Sequence, residues 1–169
     1  MTMAAVLSAL DAGDDAAAEA VLAPLLAAQP NDPPLLRLMA ALLFRQNRAQ
    51  DALPIVQRYA RAEPSADSLT FLSDIQYRLS AFADYEETLT RLIRMNAATL
   101  EQLRQLAKVK MLGGKLEEAQ EVLRQAMLRA PDDVDVMGAY GDSFGATPER
   151  AVAAFAAMLP KVAGKPDRT

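Results

Sequence analysis

The side chains of this chain that carry chemistry are carboxylates, and several stand side by side. Asp14-Asp15, Glu117-Glu118 and Asp132-Asp133-Val134-Asp135 are the clusters. Converging carboxylates can transfer protons or hold a divalent cation. Each cluster here sits at or near the start of an amphipathic stretch. An acidic side chain there caps free amide groups and complements the helix dipole, which is the better account of all three. A second candidate is the glycine-rich Gly138-Ala139-Tyr140-Gly141 with Gly145. No strand pattern precedes it and no Lys follows to hold a phosphate, so close helix packing explains it better. The chain has no Cys and no His. Thiolate nucleophiles, zinc–thiolate sites and the commonest general base are therefore missing. The residue types predict no catalytic set, no metal site and no cofactor, and hence a protein that is not an enzyme.

The elements that position these residues read as helices. Of the 169 residues, 51% are hydrophobic and only 5% aromatic, with much Ala and Leu. That balance favours helix over sheet and supplies a sizeable core. A net charge of −4 argues against nucleic acid as a general partner. The segment Met1–Leu10 lacks a positive side chain, and Asp11, Asp14 and Asp15 break its apolar run, unlike a secretory signal. The apolar runs are too short to span a membrane. A cytoplasmic location is the expectation. Residues 1–36 contain no Lys or Arg, whereas Arg37, Arg45, Arg48, Arg58 and Arg61 follow closely. Solvated helix surface and a binding face both remain open for that run.

The helices recur. Pro30, Pro64 and Pro131 each close an amphipathic segment, and the second interval is close to twice the first. A turn falls midway through each period, at Asp11-Ala12-Gly13, Gln46-Asn47-Arg48, Ala81-Phe82-Ala83-Asp84 and Gly113-Gly114-Lys115. Each unit is thus helix, turn, helix, stop. The clearest half-unit runs from Gly114 to Pro131, with Leu116, Ala119, Leu123, Ala126 and Met127 on one face. Asn31-Asp32-Pro33-Pro34 is a strong helix start. Leu72, Ile75 and Leu79, then Tyr85, Leu89, Leu92 and Met95, form the inward set of the third unit. Val134, Met137, Tyr140 and Phe144, then Val152, Phe155, Met158 and Leu159, form that of the fifth. Pro24 and Pro54 fall inside second helices and are expected to bend them.

These residues resemble the tetratricopeptide repeat family, stacks of 34-residue helix-turn-helix units. In the fourth unit Leu103, Leu106 and Ala107 match the large-large-small pattern of the first helix. Gly114, Leu116, Ala119, Leu123, Ala126 and Pro131 match the turn and second helix. The first unit matches through Gly13, Ala18, Leu22 and Pro30, and the second through Leu36, Ala40, Ala52 and Pro64. The third fits best when shifted by about two residues, with Tyr85 in the aromatic turn position and Thr88 for the usual Ala. The fifth has a shortened turn.

The resemblance implies an all-α, right-handed superhelical array of about four to five hairpins over residues 1–163, with 164–169 a polar tail or linker. It further implies a non-catalytic protein-binding module whose first helices line a concave groove. The groove set is then Arg37, Phe44 and Arg45, with Ser73, Tyr77 and Ser80, and with Arg104, Lys108 and Met111. Its cations would attract an acidic segment or a terminal carboxylate, and its apolar members would anchor it. The basic-plus-asparagine clamp for chaperone tails is not reproduced, with Ala41 at one amide place. Two other implied roles are the recruiting domain of a larger enzyme, such as a protein glycosyltransferase, and a secretion-system chaperone.

Overall fold

The computed structural model describes residues 3–145 and 147–163, with side chains described as far as Met158. Among these there are ten helices and no strand. The 164–169 tail and Leu159 lie outside the described side chains. The chain divides into two compact units, Met1–Ala97 and Ala98–Thr169.

The first unit holds three hairpins: α1 (Met3–Asp11) with α2 (Asp15–Ala28), α3 (Pro33–Arg45) with α4 (Ala49–Ala62), and α5 (Ala66–Arg78) with α6 (Phe82–Arg94). Local chemistry starts them. The Asp14 carboxylate accepts from the Ala17 amide and that of Asp32 from the Leu35 amide, both at 2.9 Å. Ser65 and Ser68 form a reciprocal capping box at the start of α5. Asp14 and Asp32 thus act as caps. Pro24 and Pro54 are exposed, and α2 and α4 run on past them.

Left-handed residues end the first helices. Gly13, Asn47 and Ser80 have φ of +71°, +61° and +56°. The amides that follow them reach back to Ala9, Leu43 and Gln76 at 2.9 Å, the bonding of a Schellman stop. The third turn therefore centres on Ser80, not on residues 81–84 as the sequence suggested. The α4–α5 connection is one residue shorter than the α2–α3 connection, so the third hairpin is displaced by one residue, not two. Its buried residues Tyr85, Leu89 and Leu92 take the repeat places of Ala52, Val56 and Tyr59 in the second hairpin. Tyr85 so fills a place held elsewhere by Ala, its ring 5.3 Å from that of Tyr77. Met95 caps α6 and is exposed, because the helix ends one residue before it.

The second unit holds α7 (Leu100–Leu112) with α8 (Leu116–Arg129), and α9 (Val134–Asp142) with α10 (Pro148–Ala163). Thr99 and Gln102 make a capping box. Gly114, at φ +74°, makes the same left-handed stop, and a Cβ there would meet no atom within 4 Å. Backbone conformation alone therefore selects glycine. Leu103, Leu106, Ala107, Ala119, Leu123, Ala126 and Met127 form the core between α7 and α8. In the last hairpin Val136 and Tyr140 are buried, while Val134 and Val152 are exposed, contrary to the periodicity reading. Asp133 caps the amides of Asp135 and Val136, which leaves Val134 on the outward side of the first turn. Tyr140 meets Phe144 and Phe155 edge-on, at 5.1 and 5.3 Å.

Candidate functional site

In the first unit, α3 turns Leu36, Met39, Ala40 and Leu43 inward. Helical spacing leaves Arg37, Phe44 and Arg45 off that stripe. Arg37 donates from Nε to Asp67 Oδ2 on α5 at 2.9 Å, and the Tyr59 hydroxyl donates to the same oxygen at 2.9 Å. The two hydrogen bonds hold the Asp67 carboxyl below the usual carboxylate range. Burial, and then the Asp67 carboxylate, push the Tyr59 phenol up. Arg45 pairs with Asp15 of α2.

Phe44 is half-buried. The Phe71 ring meets it edge-on at 6.0 Å, and the Arg78 guanidinium lies over it at 4.7 Å. Arg78 also donates to Asn47 Oδ1 at 3.1 Å. An aromatic–cation cluster so bridges α3 and α5. Sequence reasoning missed Phe71 and Arg78. The signal for Arg78 was present, because it stands where Arg45 stands one repeat earlier, but the displaced register hid it.

Tyr77 is half-buried against Phe82 and Tyr85 of its own hairpin. Ser73 does not belong to an accessible face. It is 0% exposed, and its hydroxyl donates to the Thr70 carbonyl at 2.7 Å. It takes the small, helix-seating place of Ala40, which the one-residue-short repeat conceals. Ser80 is the left-handed turn residue described above.

In the second unit Arg104 pairs with Glu101 and with Asp135 Oδ2, the latter at 2.8 Å. This repeats the relation of Arg37 to Asp67: an arginine on one first helix meets an aspartate in the opening turn of the next. Lys108 is exposed and Met111 half-buried on the same helix. Lys110, one turn beyond Leu106, reaches Glu118 at 2.6 Å. Glu101, Glu118, Glu121 and Asp135 of this unit are thus engaged with neighbouring cations. Among the described residues, no group of three His, Cys, Asp or Glu side chains is placed to hold a metal ion. Nor is any described helix long and apolar enough to cross a membrane.

The hairpins, their left-handed stops and their alternating small and large core positions define the tetratricopeptide repeat fold, and this chain has it. The likeness to solved structures is extensive. A crystal structure of MamA protein matches with a TM-score of 0.76 at 18% identity, over 94% of this chain and 88% of that one. A tetratricopeptide repeat protein from Parabacteroides merdae matches at 0.73 and 16% identity, over 92% of this chain and 64% of that one. YrrB, a tetratricopeptide repeat protein with an unusual peptide-binding site, matches at 0.62 and 14% identity, over 85% and 75%. No protein-family model and no curated protein matches the sequence.

Proposed function

We propose that this chain is a non-catalytic protein-interaction module that holds a segment of a partner protein against the exposed faces of its first helices. The observation that carries this reading is the cluster of Phe44, Phe71 and Arg78. It joins two successive first helices through an aromatic edge and a cation over a ring, and it leaves half-buried aromatic surface beside charge. Aromatic and arginine side chains in that setting are what interface anchors are made of. The peptide-binding site of YrrB, on the same fold, supports the reading by analogy.

The ion pairs narrow the set of cations available to a charged partner. Arg37, Arg45 and Arg104 are engaged with Asp67, Asp15 and Asp135. An acidic partner would have to displace those carboxylates. Lys108, exposed on α7, and Arg78, over Phe44, are the cations we assign to an acidic side chain or a terminal carboxylate of the partner.

The test is capture from native lysate with the wild-type chain, with Arg78→Glu and with Lys108→Glu, each shown to keep its helical circular dichroism. Loss of the same captured protein from either variant is the expected result. An unaltered capture profile from both folded variants would overturn the assignment.

A further inference from the structure

The first unit contains one architectural notch twice. A cleft of about 380 Å³ opens among α2, α3 and α4, and one of about 490 Å³ among α4, α5 and α6. Pro30 lines the first, and Pro64, its counterpart in the next repeat, lines the second. Asp51 and Arg58 line the first; Asp84 and Arg91, at the same repeat places, line the second. The framing helices therefore correspond, although the α4–α5 connection beside the second cleft is one residue shorter than the α2–α3 connection beside the first.

Three of the differences remove hydrocarbon from the wall. The first cleft is walled by Leu26, Leu43 and Ile55. The corresponding places in the second are Ala60, Gln76 and Thr88. Ala60 opens the space that Leu26 fills. Gln76 and Thr88 replace hydrocarbon by a carboxamide and a hydroxyl. Gln76 is only 4% exposed, yet its Oε1 accepts no hydrogen bond. A buried acceptor without a donor destabilises the fold, and the neighbouring repeat carries leucine, Leu43, at this place.

The charges differ in the same sense. In the first cleft they are satisfied internally. Arg48 pairs with Glu19 and Asp51, both at 2.8 Å, and Arg58 donates to the Pro30 carbonyl. In the second, Arg61, Asp84, Glu87 and Arg91 make no ion pair with any described residue. Two cations and two anions give the rim no net preference for either sign. A ligand that carries both charges can meet both.

We propose that the cleft among α4, α5 and α6 binds a small zwitterion of the α-amino acid class. The ligand ammonium donates to Gln76 Oε1 and is balanced by Asp84 and Glu87. The ligand carboxylate is held by Arg61 and Arg91. This site is separate from the partner-binding face and stands or falls independently of it.

The test is titration of the ¹⁵N-labelled full chain, followed by amide shifts, with each of the twenty L-amino acids. Glycine betaine, sodium acetate and guanidinium chloride are titrated alongside. Betaine keeps both charges but has no N–H to give Gln76. At least one amino acid is expected to produce saturable shifts centred on residues 57–91, with the three controls at least tenfold weaker. Gln76→Leu, which copies Leu43, is expected to weaken binding at least tenfold. Arg91→Gln, at an exposed position, is expected to do the same and supplies the reading should Gln76→Leu misfold. No saturable shift with any amino acid would overturn the proposal. So would betaine binding as tightly as the best amino acid, or wild-type affinity in either folded variant.

Discussion

The Arg37 guanidinium meets the Asp67 carboxylate at 2.9 Å across two successive first helices, and the Tyr59 hydroxyl shares the same oxygen. The arrangement ties the second hairpin to the third through one carboxylate. Its worth depends on pH in a definite direction. The Asp67 pKa is lowered in the folded chain. Its contribution is therefore complete above the unfolded aspartate value of about 3.9 and is lost as pH falls through the lower folded value. The side chain is 57% exposed, so the contribution is small, about 0.5–1 kcal/mol. Asp67→Asn should lower the urea midpoint at pH 7, and the gap to wild type should close below about pH 4. A gap that persists undiminished at low pH would mean that the ion pair is not its source.

The left-handed turns make a paired prediction. Gly114 must hold φ +74° and Ser80 holds φ +56°. Gly114→Ala should cost about 1 kcal/mol, since alanine pays the steric penalty of that conformation. Ser80→Gly should be neutral or stabilising by a few tenths of a kcal/mol at a turn that already suits glycine. Urea titrations at constant slope measure both, and equal effects of the two changes would count against the turn geometry.

Ala119 seats α8 with no exposed surface. Ala119→Leu should overpack that contact and cost about 1–3 kcal/mol. An unchanged midpoint would show that the neighbouring helix can retreat freely.

Leu43 and Gln76 occupy the same place in successive repeats, at 4% exposure each. Moving the carboxamide into the apolar cleft, as Leu43→Gln, removes buried hydrocarbon and strands a polar group. The loss should be about 2 kcal/mol or more. Calorimetry at fixed pH would read it, and a neutral result would mean that water reaches this position readily.

Helix positions, caps and the repeat were legible because they depend on local rules. Asp14, Asp32 and Asp133 cap where their sequence neighbourhood predicts, and Gly13 and Gly114 stop helices where glycine stands just past an apolar stripe. The third repeat was misread because Ser80, not Gly or Asn, makes its turn. A serine carries no strong turn signal, so the residue missing from the α4–α5 connection went unseen. With the register displaced, Ser73 passed for a surface residue and Arg78 was overlooked.

The amino-acid sequence by itself determined that this chain is helical, repeated and free of catalytic thiol or imidazole. These follow from composition, from helical periodicity and from recurring Pro and Gly. Tertiary structure alone decided which cations are free and which are spent. Arg37 meets Asp67, and Arg104 meets Asp135, across separations at which the chain gives no sign of contact. It alone also showed that Gln76, polar at an apolar place, lies buried beside four charges that pair with no described residue. Periodicity specifies the face on which a residue lies. The packing of one hairpin on the next determines what that face meets.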